Sequence, residues 1–290
     1  MCTSTIRAML LAAAFTLAGC GGGGGFAFIP TPPAPSGPRP AQTYPILGAA
    51  VESQQFAAVG ASHAYDGSHA LSLEPGSQLQ VRYVASSNAY EVQVPGSSDW
   101  TAVSFALSPG PGLNDYFGDT ARLWVRTGSG VSWSYEYSAL FEWDDSKDTI
   151  FGHEAVGMAT PSSGVPVMGS ADYVGDLIGV SSEPHGDDYL VAGTVNLSFD
   201  FAAATLTGQL EADLHQGFGS ITLNFSNTVY STGSTTFSGK FDTDLTGVNS
   251  FSGLFTGPNA QELIGNFAFP YRSPNDNLVY QADGAFVAKK

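Results

Sequence analysis

Regular alternation of apolar and polar residues constrains the fold of the second half of this chain more than any other feature. Val195, Leu197, Phe199 and Phe201 alternate with polar residues, and Ile221, Leu223 and Phe225 do the same. Side chains two positions apart lie on one face of a strand, so each such segment predicts a strand with one dry and one wet face. We predict eight strands: Ser170–Gly179, Val191–Phe201, Thr205–Asp213, Ser220–Asn227, Thr235–Thr243, Asn249–Thr256, Glu262–Tyr271 and Asn277–Ala288.

Glycines recur on the dry face of these strands. A glycine within a strand often leaves room for a large neighbour. Eight strands joined by short connections predict a closed antiparallel up-and-down barrel, which has no exposed edges. A barrel of this size is just wide enough to be filled by side chains, and we expect the phenylalanines to fill it. The glycines are Gly175, Gly208, Gly239, Gly253, Gly265 and Gly284.

The first half, roughly Tyr44–Gly157, is also rich in β-patterns but is less regular. Arg122–Arg126 facing Ser132–Tyr137 across Gly128–Gly130 predicts a hairpin, and residues 109–112 (PGPG) predict a turn or loop. An aromatic cluster in this half is compatible with a core or with a partner-facing patch. The predicted strands are Leu79–Tyr83, Tyr90–Val94, Thr101–Leu107, Ala121–Thr127 and Val131–Phe141, and the aromatic cluster is Trp124, Trp133, Tyr135, Tyr137 and Trp143.

The N-terminus predicts a lipoprotein signal peptide at residues 1–19. Arg7 precedes an apolar run that is too short to span a bilayer, and Leu17-Ala18-Gly19-Cys20 matches the bacterial lipobox. Cleavage before Cys20 leaves that thiol to carry diacylglycerol and an amide-linked acyl chain such as palmitate, which together give durable membrane anchoring. Residues 20–43, rich in Gly and Pro, predict a tether. Outer-membrane sorting is expected because no Asp follows Cys20.

Charge and cysteine content exclude several function classes. The chain from residue 20 onward has nine Lys/Arg against 26 Asp/Glu, a formal charge of −17. Nucleic-acid binding is excluded because it needs basic patches, and attraction to anionic lipid headgroups is not expected. Cys2 lies in the predicted signal peptide and Cys20 is the predicted lipid site, so neither a disulfide nor a thiol nucleophile is expected.

Residues 251–267 (FSGLFTGPNAQELIGNF) resemble the barrel signature of the transferrin-binding protein B family. In that family a strand ends at Gly-Pro-x-Ala, a short turn carries a Glu, and the next strand opens with Gly-x-Phe. Residues 168–175 (MGSADYVG) are similar to its first barrel strand, whereas Ile264 stands where a second Gly is common. Relatives include factor H-binding protein and haemoglobin–haptoglobin-binding lipoproteins.

The segment Ser162–Pro166 predicts the linker between the two halves. The resemblance implies an all-β chain with an irregular handle-like domain at 44–160 and a filled eight-stranded barrel at 165–290. It further implies a non-catalytic, lipid-anchored protein on the outer membrane or cell surface. The implied ligand is a macromolecule such as an iron- or haem-carrying host protein. The resemblance also implies an outer-membrane translocon or a TonB-dependent receptor as a partner.

No constellation predicts an enzyme, a metal site or a bound cofactor. Gly-x-Ser-x-Gly is absent, and His63, His69, His153, His185 and His215 each stand alone in a turn-like context. His185–Asp188 is the best metal candidate, although a solvated loop is favoured. Asp144–Asp148 lacks the glycine and terminal Glu of a calcium loop and predicts a turn. Haem ligation by His63 with Tyr65, or by His185 with Tyr189, is chemically feasible.

Three functional hypotheses remain open at this point. The first is a lipoprotein that binds a macromolecule through barrel-end loops and the face of the handle. The second is a binder of a small solute or haem, and the third is a structural or adhesion module of the envelope. The loops Val180–Leu190, Leu214–Gly219 and Asp244–Asn249 are polar and do not identify a ligand.

Overall fold

The protein is described by a computed structural model. It describes residues 46–47, 50, 52–64, 77–110, 113–126, 135–147, 149–183, 190–214 and 219–290. Within these ranges the chain is all-β, and a single 3-10 turn, Ser162–Gly164, joins its two sheets. None of the helices in these ranges has the length and apolar character needed to cross a bilayer. Thr43–Lys290 form one compact unit.

The first sheet, called the handle here, has nine strands and is nearly closed. Its order is β1-β3-β4-β5-β6-β7-β8-β9-β2. Because β1 and β2 are separated only by Phe56, one bent segment supplies both ends of the sheet. The strands are β1 (Gln54–Gln55), β2 (Ala57–Ala64), β3 (Gln80–Val84), β4 (Ala89–Gln93), β5 (Thr101–Gly110), β6 (Leu113–Gly118), β7 (Ala121–Arg126), β8 (Ser138–Asp145) and β9 (Ile150–Gly157).

The handle departs from the sequence prediction in four strands and one register. Strands β1, β2, β6 and β9 were not predicted. The hairpin from β7 to β8 exists, but Arg122 pairs with Asp144 and Arg126 with Leu140 rather than with Ser132–Tyr137. Residues 135–137 are not a strand because their polar groups bond to the barrel: the amides of Glu136 and Tyr137 donate to the Glu262 carboxylate. Gly110 ends β5, and residues 111–112 lie outside the described ranges.

The second sheet is a closed barrel of eight antiparallel strands, each paired with its neighbours in sequence. All eight predicted strands are present with bounds that differ by at most a few residues, so the predicted fold class is confirmed. The strands are β10 (Ser170–Ser181), β11 (Leu190–Asp200), β12 (Thr205–Leu214), β13 (Ser220–Val229), β14 (Thr236–Phe241), β15 (Ser250–Thr256), β16 (Glu262–Arg272) and β17 (Val279–Lys289).

Aromatic rings fill the barrel, as the alternation predicts. Phe199, Phe255 and Phe267 are at most 1 % exposed and belong to one apolar cluster. Glycines make room for the rings: a Cβ placed on Gly253 would lie 2.4 Å from the ring of Phe237, and one on Gly265 would lie 2.1 Å from the ring of Phe286. Both pairs are direct cross-strand partners. Strand β13 is less covered, since Ile221, Leu223 and Phe225 are only partly buried.

Strands β2, β8 and β9 of the handle pack against the outer face of β10, β16 and β17. Leu140 and Ala155 of the handle join Ile178, Ile264 and Val287 of the barrel in one buried cluster. Barrel strands in this region are therefore apolar on both faces. The contact buries apolar surface, which is the main source of stability in such an interface.

Polar groups also cross this interface. The Nε2 atom of His63 lies 2.8 Å from Oδ1 of Asp283, and the hydroxyls of Ser138 and Thr256 are 2.6 Å apart. Burial raises the pKa of Asp283, and the nearby His63 opposes that rise. His63 and His153 thus lie within strands β2 and β9 and are buried. The expectation that each histidine occupies a turn-like context is wrong for these two.

Candidate functional site

The barrel has two dissimilar ends. One end carries the loops that follow β10, β12, β14 and β16, and we call it the loop end. The three polar loops singled out in the sequence all lie there, because alternate connections of an up-and-down barrel emerge at the same end. The loop after β16, residues 273–278, joins them. Residues 184–189 and 215–218 of these loops lie outside the described ranges.

A buried carboxylate ties the loop after β10 to the loop after β16. Glu183 is completely buried. It accepts hydrogen bonds from the Tyr271 hydroxyl at 2.8 Å, the Ser273 hydroxyl at 2.6 Å and the Asn275 side-chain amide at 3.1 Å. Burial raises the pKa of Tyr271, so its phenol remains a donor. The described part of the loop after β10 is therefore fixed to the loop after β16.

We expect Glu183→Ala to destabilise the chain by about 2–3 kcal/mol, because the buried hydroxyls of Tyr271 and Ser273 lose a charged acceptor. Glu183→Gln should cost less, since its carbonyl oxygen still accepts from Ser273 and Asn275. Urea unfolding of the 43–290 fragment measures the difference. Glu211→Ala is the matched control because Glu211 is exposed on the barrel wall. Equal stability of the Glu183→Ala and Glu211→Ala variants would contradict the role given to Glu183.

Exposed apolar side chains lie beside this network. Val248, Leu278 and Val279 are 46 %, 58 % and 40 % exposed. The Gln281 side chain fixes the first of them, since it accepts from the Val248 amide at 3.1 Å and donates to the Val248 carbonyl at 2.9 Å. Exposed aspartates surround these residues: Asp242, Asp244 and Asp276. Apolar groups held in place within a polar rim are typical of protein-binding surfaces.

Loops of the handle extend toward the same side as the loop end. Ser138, at the start of β8, contacts Thr256, whereas His63, near the end of β2, contacts Asp283. The handle strands thus run alongside the barrel strands, with the turn after β8 directed toward the loop end. Together with the turns after β4 and β6, it lines an open cleft of about 540 Å³.

The sequence predicts a turn at Asp144–Asp148, and the described residues of this segment lie in the turn after β8 and at the end of β8 itself. The Asp145 carboxylate accepts from the amide of Thr149 at 2.6 Å and from the amide of Ile150 at 3.2 Å. Both amides bond Oδ1, and Oδ2 accepts from the Thr149 hydroxyl at 2.5 Å, so both oxygens are engaged within the turn itself. Asp148 lies outside the described ranges.

The other chemically reactive candidates are either enclosed or outside the described ranges. His63 is 3 % exposed, is bonded to Asp283 and stacks on Phe151 with ring centroids 5.1 Å apart. It cannot reach a haem without breaking that contact, so the haem hypothesis for His63 is not supported. No group of three or more His, Cys, Asp or Glu residues in the described ranges could hold a metal. Cys20, Tyr65, His69, His185–Tyr189 and His215 lie outside those ranges.

The aromatic cluster of the handle divides between core and surface. Trp143 is 1 % exposed in the handle core, and the Tyr135 hydroxyl donates to Asp176 of the barrel at 3.1 Å. Trp124 is partly exposed, with the Arg122 guanidinium 5.5 Å from its ring. Trp124 and Phe117, which is 38 % exposed, both contact the Arg122 guanidinium and form a surface patch, and Tyr137 is also partly exposed. Trp133 lies outside the described ranges.

Residues 165–290 match a family model described as the C-lobe and N-lobe beta barrels of Tf-binding protein B. A search of curated proteins finds no match. The structure is similar to a mutant transferrin-binding protein B from Haemophilus parasuis (19 % identity, TM-score 0.46, covering 80 % of this chain and 44 % of that one). It is also similar to the isotype 1 protein from Neisseria meningitidis (17 % identity, TM-score 0.47, covering 80 % and 43 %). The chain thus spans under half the length of these proteins.

Proposed function

Because residues 165–290 match the family model of the transferrin-binding protein B barrels, we propose that this chain is a lipid-anchored, non-catalytic protein that binds a macromolecular ligand at its loop end. One observation carries the proposal. The loop end presents Val248, Leu278 and Val279 to solvent on loops that the buried Glu183 and the Gln281 side chain hold in place. A preorganised surface binds at a lower entropic cost than a flexible one.

The proposed anchor is a diacylated and N-acylated Cys20, which places the protein on the outer membrane or cell surface. Ser53 lies at the end of the handle opposite to the loop end: its hydroxyl accepts from the amide of Ala85, in the turn after β3, at 2.8 Å. Several acyl chains then hold the protein durably at the bilayer.

The proposed ligand is an iron- or haem-carrying host protein, and a translocon or TonB-dependent receptor in the outer membrane is the proposed membrane partner. The likeness of the barrel to that of proteins named for transferrin binding supports this ligand class. The filled interior supports a large ligand over a small one, because within the described residues the barrel is packed with buried apolar side chains. Recognition therefore depends on the outer surfaces of the loops.

The ligand is tested with the immobilised 43–290 fragment. Iron-loaded transferrin, iron-free transferrin and haemoglobin–haptoglobin are passed over it, and binding is measured by interferometry. Leu278→Asp should weaken binding tenfold or more, since a charge in the centre of an interface costs about 1.4 kcal/mol or more. Val229→Asp is the matched control, an exposed valine on the barrel wall away from these loops. Binding to none of the carriers would refute the proposed ligand, and equal binding by both variants would refute the loop end as its site.

The anchor is tested separately by metabolic labelling with an alkyne analogue of palmitate. We expect the full-length chain to take up the label and to float with membranes in a density gradient. Cys20→Ala should abolish both. Labelling that persists in the Cys20→Ala chain would refute the lipid site.

A further inference from the structure

The contact between the handle and the barrel is held differently at its two ends. At the end opposite to the loop end, which we call the linker end, residues 158–165 connect the two sheets. There the Thr160 amide donates to the Phe255 carbonyl at 2.9 Å, and the Gly257 amide donates to the Met158 carbonyl at 2.8 Å. The linker end is therefore joined by the chain itself and by backbone hydrogen bonds.

Buried side chains reinforce the linker end. The Glu262 carboxylate accepts from the amides of Glu136 and Tyr137 at 2.7 and 3.0 Å. Burial raises the pKa of Glu262, and a carboxyl that takes up a proton still has oxygens that accept hydrogen bonds. Next to this group, Leu140 of the handle packs with Ile264 of β16 in the apolar cluster of the interface. Acid therefore leaves the contacts of the linker end in place.

Two buried imidazoles lie in the other half of the interface, nearer the loop end. They belong to His63 and His153, and the Nδ1 atom of each has no hydrogen-bond partner among the described residues. Both lie on the side of the handle that faces the barrel. His63 contacts Asp283 of β17, and His153 shares one face of β9 with Ala155, which packs against the barrel.

The charged and titratable groups of the handle around His153 come from three strands. Glu142 of β8 is its cross-strand partner, Arg126 lies on β7, and His63 lies on β2. Burial lowers the pKa of His153 to about 4, with Glu142 opposing the fall and His63 and Arg126 adding to it. An imidazolium is disfavoured here because it has lost its water and lies beside a guanidinium.

Two carboxyls of the barrel near this interface have the opposite dependence on pH. Asp283 of β17 faces His63, and Asp176 of β10 lies near Arg126. Burial raises the pKa of both, so each binds a proton more tightly in the closed interface. Their protonation therefore favours the closed interface, whereas proton uptake by His153 favours an open one.

We propose that acid opens the loop-end half of the contact between handle and barrel, with the linker end as the hinge and His153 as the group that takes up the proton. The imidazole gains water when β2 and β9 separate from the barrel, and its charge then costs little. The turns of the handle move away from the barrel loops in this opening. The device belongs to the folded body and does not depend on which ligand the loop end binds.

The test measures distances between two spin labels by double electron–electron resonance. It uses the 43–290 fragment, which is one compact unit and contains neither native cysteine. One pair spans the loop end, with Ser146→Cys in the turn after β8 and Leu278→Cys in the loop after β16. The matched pair spans the linker end, with Gln55→Cys just before β2 and Ala203→Cys in the turn after β11. All four native side chains are exposed.

We expect a longer distance to appear in the loop-end pair as the pH falls from 6.5 toward 4. Uptake of one proton raises the ratio of open to closed molecules by up to about tenfold per pH unit. The linker-end pair and the circular dichroism spectrum should stay unchanged. His153→Gln should abolish the longer distance. Glu154→Gln, which alters the adjacent buried residue that bonds to the Leu79 amide in the handle, is the matched control and should keep it.

Three outcomes would contradict this inference. A loop-end distance in the native chain that stays fixed down to pH 4, with an intact spectrum, would overturn the opening. Broadening of both pairs together with loss of the spectrum would show acid unfolding in place of a hinged opening, and would overturn it as well. A longer distance that persists in the His153→Gln chain would overturn the role given to His153.

Discussion

Phe255→Ala is expected to destabilise the chain by about 3–5 kcal/mol, the range for removing a fully buried Phe. Phe255 has no exposed surface and lies at the centre of the ring cluster. Its ring centroid is 4.9 Å from that of Phe199, 5.7 Å from that of Phe237 and 5.8 Å from that of Tyr173. The strands around it are closed by hydrogen bonds and cannot collapse onto the cavity. Urea unfolding of the 43–290 fragment, followed by circular dichroism, measures the loss.

Two further variants make this result specific. Phe255→Leu leaves most of the apolar volume in place and should cost clearly less than Phe255→Ala. Phe117→Ala removes a ring from the surface of the handle, and its effect should stay within about 0.5 kcal/mol. If Phe255→Ala cost no more than Phe117→Ala, the barrel interior would not be packed around this ring. A filled interior would then no longer favour a large ligand over a small one.

The barrel could be predicted from sequence because its pattern is local. Each strand from β11 to β15 has one face toward the interior and one toward solvent, so alternation marks it directly. Consecutive strands pair, and short turns leave few alternative topologies. Gly253 and Gly265 add a second signal, since a small residue opposite a large ring is a property of neighbouring strands.

The handle was predicted less well because tertiary contacts decide its strands. Strand β9 is buried along most of its length, with Ala155 against the barrel and Val156 in the handle core. Burial on both faces removes the alternation that marks a strand. The predicted register of β7 with β8 was wrong for the same reason. Leu140 packs against the barrel, and the Tyr137 amide, just before Ser138, donates to Glu262 of the barrel. The barrel residues that make these contacts are distant in the sequence, so no local pattern in the handle indicates them.

The loop end was partly predictable. Once an up-and-down barrel is inferred, alternate loops must meet at one end, so the three polar loops could be placed together. The anchoring role of Glu183 could not be inferred, because its partners Tyr271, Ser273 and Asn275 lie about 90 residues away, as the separations of 88, 90 and 92 positions show. A single glutamate beside a loop has no local signature of burial.

Stability of the chain should depend on pH through two adjacent residues of β9 with opposite effects. Burial lowers the pKa of His153 to about 4, from an ordinary value of 6.5. Burial raises the pKa of Glu154 well above its ordinary value of 4.5, although the Leu79 amide, 2.7 Å from its carboxylate, opposes the rise. His153 lies near Glu142, His63 and Arg126, whereas Glu154 faces the handle core.

The sign of each effect follows from which state binds more protons. Between pH 6.5 and 4 the unfolded chain protonates the imidazole of residue 153 and the folded chain does not. Stability from His153 is therefore complete above pH 6.5 and falls by about 3 kcal/mol as the pH drops to 4, at about 1.4 kcal/mol per unit. For Glu154 the folded state holds the proton more tightly, so its contribution is complete below pH 4.5 and is lost as the pH rises toward the folded pKa.

Two single variants separate these contributions. Relative to the native chain, His153→Gln should gain about 3 kcal/mol of stability between pH 6.5 and pH 4, because it no longer loses the histidine contribution. Glu154→Gln should gain stability progressively above pH 4.5, because the amide does not ionise. Unfolding free energies from urea titrations at half-unit steps of pH measure both differences. A difference between native and His153→Gln chains that is constant from pH 7 to pH 4 would show that the imidazole is accessible to protons in the folded state, and the buried strand pairing of β9 against the barrel would then be incorrect.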